Sequence, residues 1–196
     1  MEYPGNLLPT TVLMAIVLFL VKELVEISRK RKAKQRKLGA FKAILAEELE
    51  RNYWAWHSLK RGLANIQGDL KENADYTYEV RRNASGAMVL RSNTSEGEFS
   101  SIKPLPEVYR EAFTTNVVEI AEIDDSLYQL ARIAYDEVAE IAHVRTVLVN
   151  ELSEDEGAFL SGAVDYGIDT LESALPSIQT LYRHCTGKDL TSYKLR

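Results

Sequence analysis

Residues 3–21 carry no formal charge. Beyond them lies Arg29-Lys30-Arg31-Lys32-Ala33-Lys34-Gln35-Arg36-Lys37, seven positive charges in nine positions. Val12 through Val21 is continuously apolar. As a helix, the nineteen uncharged residues rise about 28 Å, close to the roughly 30 Å hydrocarbon core of a bilayer. Each strongly apolar residue favours insertion by about 0.3 to 0.6 kcal/mol. A secretory signal places its positive charge before the apolar run and a small-residue cleavage site after it, whereas here Lys22 and Glu23 follow. The pattern predicts an extracytoplasmic N-terminus over 1–6, a transmembrane helix over 7–24 and a basic juxtamembrane stalk over 25–40. A cytoplasmic helical sensor domain over 41–196 follows, because positive charge flanking a span stays on the cytoplasmic side.

The charge is unevenly spread. Residues 22–61 hold twelve basic and five acidic residues, and residues 62–196 hold twelve basic and twenty-three acidic. A distal part this acidic is a poor general nucleic-acid binder, so an anionic ligand needs a local basic pocket. Beside a span, the run Arg29, Lys30, Arg31, Lys32, Lys34, Arg36 and Lys37 is expected to meet anionic lipid, at about 1 kcal/mol per basic residue. The single cysteine, Cys185, excludes an intramolecular disulfide. No zinc-type Cys/His spacing, internal repeat or Gly-rich phosphate loop occurs in the sequence, and no metal or cofactor is expected.

Hydrophobic periodicity predicts a mainly α fold: the membrane helix continues as a stalk into an antiparallel helical bundle with one inserted β-hairpin. From Lys22 to about Asn65 no proline occurs, and Leu38, Phe41, Leu45, Leu49, Tyr53, Trp56, Leu59 and Leu63 recur at helical spacing. Gly62 and Gly68 are expected to end this helix. Tyr76 to Val80 alternates like a strand, Asn83-Ala84-Ser85-Gly86 is turn chemistry and Ala87 to Leu90 is the return strand, giving a hairpin over about 76–91. Pro106 is expected in the first turn of the next helix. Asp124-Asp125-Ser126 with Gln129 reads as a helix start, and Ser153 with Glu156 as another. Stripes from Leu127 to Leu152 and from Leu160 to Leu181 supply two long helices, the second bent or split at Pro176 and stopped at Gly187.

The sharpest catalytic pattern is Arg51-Asn52-Tyr53-Trp54-Ala55-Trp56-His57. It resembles the arginine–polar–histidine motif of HEPN ribonucleases, which implies that Arg51, Asn52 and His57 act on a scissile phosphate. The competing reading is an amphipathic helix whose aromatic residues pack on their neighbours. His143 and His184 sit on or at the end of helical stripes, and Cys185 lacks a base partner in the pattern. The hairpin region carries Arg81, Arg82, Arg91 and Lys103 among Tyr76 and Tyr78. Arginine with aromatic residues holds phosphates and stacks bases, which makes this the preferred ligand-binding surface. In the apolar run, Thr11 and Ala15 form a small-xxx-small pair for close helix approach, and Leu13 and Val17 would line a hydrophobic gate.

The parts in order are an apolar N-terminus, a basic flank, Ile44-Leu45-Ala46-Glu47-Glu48-Leu49-Glu50-Arg51-Asn52, a β-like insert, a Pro-started helix and Leu127-Tyr128-Gln129-Leu130-Ala131-Arg132-Ile133-Ala134-Tyr135. This layout resembles the small membrane-anchored effectors of bacterial anti-phage systems controlled by nucleotide signals, such as the Hailong effector. The resemblance implies a homo-oligomer, such as a tetramer, in the bacterial inner membrane, with its N-terminus outside. It implies a ligand-gated channel or membrane-disrupting protein acting in abortive infection. Its partners would be the lipid bilayer, a nucleotide or single-stranded oligonucleotide, and a nucleotidyltransferase. The alternatives are a membrane-tethered ribonuclease using Arg51 and His57, and a non-catalytic membrane adaptor.

Overall fold

A computed structural model describes residues 9–72, 76–94, 96–152 and 160–191. The order is a helix α1 (Thr10–Lys71), strands β1 (Tyr76–Arg82), β2 (Met88–Thr94) and β3 (Phe99–Pro104), then helices α2 (Glu111–Ile123), α3 (Asp125–Glu151) and α4 (Leu160–Thr186). The chain divides into two compact units, Met1–Ala40 and Phe41–Arg196. Residues 1–6 and the Ser153/Glu156 pattern lie outside the described residues.

In the first unit, α1 overturns the transmembrane expectation. No helix among the described residues is long and apolar enough to cross a membrane. The reason is where the helix starts. It begins at Thr10, directly after Pro9, so only the twelve residues 10–21 precede Lys22. They rise about 18 Å, well short of the roughly 30 Å a bilayer core requires. Lengthening the segment C-terminally brings in Lys22, Glu23 and Glu26. The single-pass inner-membrane placement and the channel fall with the span. The gate at Thr11, Leu13, Ala15 and Val17 was expected within that span, and the lipid contact of the basic run beside it. The unit is instead a helical stem with exposed side chains. Leu13, Val17, Leu18, Phe19 and Leu24 are between 49% and 67% exposed, and Lys30 pairs with Glu26 one turn away at 2.9 Å.

In the second unit, α1 buries Phe41, Leu45, Leu49, Asn52, Ala55, Trp56, Leu59, Leu63 and Ile66, steps of three and four residues that make one face. α4 runs antiparallel to it. The Tyr182 hydroxyl donates to Glu50 at 2.9 Å, the Trp56 indole N–H to the Leu171 carbonyl at 2.6 Å, and the Gln67 amide to Asp165 at 2.8 Å. α3 completes the core with Leu127, Val138, Ile141 and Leu148. The tightest approach is at Gly167, where an added Cβ would meet Leu63 Cδ1 at 2.8 Å and Val144 Cγ1 at 3.0 Å. Here α1, α3 and α4 touch through a missing side chain. The short α2 stacks Phe113 on Tyr135 of α3, ring centroids 4.9 Å apart.

Four boundaries differ from expectation. α1 passes through Gly62 and Gly68 to Lys71, because burial of Leu63 and Ile66 outweighs the propensity cost of two glycines. The insert is a three-stranded antiparallel sheet, order β1-β2-β3, and not a two-stranded hairpin. Its third strand, Phe-Ser-Ser-Ile-Lys-Pro, has neither clean alternation nor β-rich composition. α2 starts at Glu111 instead of at Pro106, because the intervening loop is tied down elsewhere. Arg145 donates to the Pro106 carbonyl at 2.9 Å, and Asn52 holds both backbone groups of Tyr109. α4 runs unbroken through Pro176, which lies on its exposed side, where the carbonyl freed by the missing N–H can face water. The Asp124 start is as the pattern implies: its carboxylate accepts from the Leu127 N–H at 3.0 Å.

Candidate functional site

The sheet lies against α1 beside Gly62, where a Cβ would stand 3.4 Å from Leu90 Cδ2. The register aligns Tyr78, Ser92 and Ser101 across the three strands, and Val80, Leu90 and Lys103 two positions on. With a side-chain period of two, these residues share the face turned toward α1. A β-bulge between Ser92 and Asn93 brings the neighbouring Ser100 to the same place. From α1, Asn65 and Asp69 sit one turn apart and join them. The result is a cleft of about 170 Å³ lined by Gly62, Asn65, Asp69, Tyr76, Tyr78, Leu90, Ser92, Ser100, Ser101 and Lys103.

Two pairs of polar groups inside engage one another. The Tyr78 hydroxyl donates to the Asp69 carboxylate, fixing β1 to α1. Burial, then that carboxylate, push the Tyr78 phenol above its ordinary range. The Ser92 and Ser101 hydroxyls hydrogen-bond at 2.8 Å, and Ser92 is buried. Lys103 differs. It is half-buried, and among the described residues no carboxylate forms an ion pair with it. Burial, then the Arg61 guanidinium, lower its pKa, while Asp69 acts in the opposite direction.

Of the ligand residues expected from sequence, the fold brings Tyr76, Tyr78 and Lys103 into this cleft and leaves the three arginines outside it. Arg81 pairs with Glu79 at 2.7 Å. Arg91 is on the opposite face of the sheet, 3.5 Å from Glu79 and donating to Asn93 at 2.8 Å, with its guanidinium over the Phe99 ring. Arg82 donates to the Gly86 carbonyl at 3.1 Å and borders a separate cavity with Trp54, Tyr109 and Arg145. Sequence reasoning missed Asn65, Asp69, Ser92, Ser100 and Ser101. The Asn65/Asp69 spacing of four was visible, but nothing in the sequence joined it to strands a loop away.

The Arg51-Asn52-His57 constellation is dispersed. Asn52 is fully buried, donating to the Tyr109 carbonyl at 2.7 Å and accepting from the Tyr109 N–H at 2.8 Å. Arg51 pairs with Glu47 at 2.9 Å and lies over the Tyr109 ring. His57 is six residues from Arg51, about 120° around the helix, with its ring edge-on to Trp56. Nearby, Glu48 caps α2 from outside, accepting from the Ala112 N–H at 2.9 Å and the Tyr135 hydroxyl at 2.6 Å. His143 is exposed beside Tyr166. Burial pushes the Cys185 thiol up to about 11, away from a nucleophilic thiolate. Among the described residues no three His, Cys, Asp or Glu side chains converge as a metal site.

Comparison with protein-family models, with curated proteins and with solved structures finds no match to the chain.

Proposed function

We propose that this chain is a non-catalytic, homo-oligomeric sensor. Its Phe41–Arg196 unit takes up a small signal ligand in the cleft between α1 and the sheet. The observation that carries the reading is the cleft itself: a partly enclosed, hydroxyl-lined space holding a lysine without an ion-pair partner among the described residues. A volume of about 170 Å³ is below the roughly 300 Å³ at which pockets enclose a drug-sized ligand. The cleft therefore holds one polar group of a signal, and the remainder lies outside against the exposed Tyr76. A nucleotide-type signal, in the anti-phage setting that the order of elements resembles, suits such a site.

Self-association rests on the stem. Twelve apolar side chains from Val12 to Ile27 are each at least 40% exposed, on the order of 1,000 Å² of apolar surface, whereas the largest patch on a typical monomer is about 300–600 Å². A helix apolar on every side is buried in its working state, and further copies of the stem supply matching surface. The test has two readouts on the full chain. Light scattering after size exclusion should give a multiple of 22.1 kDa, and a mixed metabolite panel should contain compounds that raise the melting temperature. A monomer, or a panel without effect, contradicts the reading.

A further inference from the structure

The densest charge on the chain lies outside the cleft. Residues 29–37 of α1 hold seven positive charges and no negative one in nine positions, and all nine are exposed. Lys30 is paired with Glu26. Arg29, Arg31, Lys32, Lys34 and Arg36 have no ion-pair partner among the described residues. Like charges four residues apart, such as Lys30 with Lys34 and Lys32 with Arg36, weaken a helix. An external polyanion removes that repulsion.

The directions of the charges narrow the partner. At about 100° per residue, the cations leave no gap wider than about 100° around the helix axis. The only uncharged positions are Ala33 and Gln35, so the segment has no apolar face to lay on a bilayer surface. A flat anionic surface reaches one side of such a helix, whereas a groove between two phosphate strands reaches both flanks. We propose that residues 29–37 bind duplex DNA, the helix lying in the major groove with its Arg and Lys side chains on the phosphates of both strands. The groove is about 12 Å wide, and a helix with its side chains is about 10–12 Å across. Over the roughly 13 Å that this segment rises, the duplex presents about eight phosphates, close to the seven cations of the run. The narrow, deep major groove of A-form RNA does not admit the helix. Because the contacts are to the backbone, binding is independent of base sequence and steeply salt-dependent.

The site is separate from the cleft, and so is its test. The full chain is titrated by fluorescence anisotropy against a labelled duplex of mixed sequence and against the matching single strand. Co-sedimentation with phosphatidylcholine vesicles containing phosphatidylserine runs alongside. The duplex should bind at low salt and more tightly than the single strand. With about five phosphate contacts, raising salt from about 50 to about 200 mM should weaken duplex binding roughly 500-fold. Arg29→Gln, Arg31→Gln, Lys32→Gln and Lys34→Gln combined in one variant change exposed positions to a good helix former, so the circular dichroism spectrum should not change. That variant should lose at least about 100-fold in duplex affinity at low salt, with a shallower salt slope by about one for each contact removed. No duplex binding at low salt, or unchanged affinity in the variant, would overturn the site. A single strand bound as tightly as the duplex would overturn the groove placement. Sedimentation with the vesicles without duplex binding would overturn the choice of DNA over lipid. Each of these results leaves the cleft reading standing.

Discussion

Asn52→Ala separates a structural role for the Arg51–His57 helix from a catalytic one. The Asn52 side chain is fully buried and makes two hydrogen bonds to the backbone of one residue, to the Tyr109 carbonyl at 2.7 Å and from the Tyr109 N–H at 2.8 Å. Alanine removes both partners together and leaves a backbone donor and acceptor unsatisfied beside the helix. Each orphaned group costs about 1–3 kcal/mol. Part of this is recovered if water enters, so the expected loss is about 2–4 kcal/mol. For a unit of this size, 1 kcal/mol moves the melting temperature by about 2–4 °C. Asn52→Ala should therefore melt roughly 5–15 °C below the parent, with the urea midpoint falling and its slope unchanged. His57→Ala, at a half-buried position on another side of the helix, should stay within about 1 kcal/mol of the parent, in the range of ordinary substitutions outside a tight core. An Asn52→Ala protein as stable as the parent would refute the tether, and with it the account of why α2 starts at Glu111.

Three further outcomes follow from the packing and electrostatics. Gly167→Ala places a methyl 2.8 Å from Leu63 Cδ1 and should cost about 1–3 kcal/mol by urea unfolding; Gly39→Ala, with nothing within 4 Å, should be neutral or stabilising by about 0.5–1 kcal/mol. Lys103 has a lowered folded pKa, so the unfolded chain holds its proton to higher pH than the folded one. Stability relative to Lys103→Met should thus rise with pH through the folded pKa, up to the unfolded value near 10.5, and a flat difference between paired pH–stability curves would count against the burial of this amine. With the Cys185 thiol raised from 9.0 to about 11, its thiolate fraction at pH 8 is about 100-fold lower than for an unshifted thiol. Modification by a thiol reagent should then be slow in the native protein and fast in urea.

The helical stripes were legible because their information is local. The Leu127-to-Leu152 run and the Asp124 cap specify α3 without reference to anything else, and the alternation from Tyr76 to Val80 specifies β1. β3 was not legible, since Phe99 to Pro104 becomes a strand only by pairing with β2. The span failed on a boundary. Counting uncharged residues from Tyr3 gave a length that the helix, starting at Thr10, does not have. For the site, composition singled out Tyr76, Tyr78 and Lys103 together with Arg81, Arg82 and Arg91. Which of them face one cleft depends on strand register and on the bulge at Ser92/Asn93, neither of which composition encodes. The Arg51-to-His57 match illustrates the converse case, in which a pattern of suitable residue types is taken up by helix packing and a backbone tether.

The most direct test of the central claim is hydrogen–deuterium exchange of the full chain with and without adenosine 5′-monophosphate. The account predicts slower exchange in peptides covering residues 61–72 and 99–104, the two walls of the cleft, with residues 51–57 unchanged. Protection confined to residues 51–57, or none in either wall at saturating ligand, would contradict it.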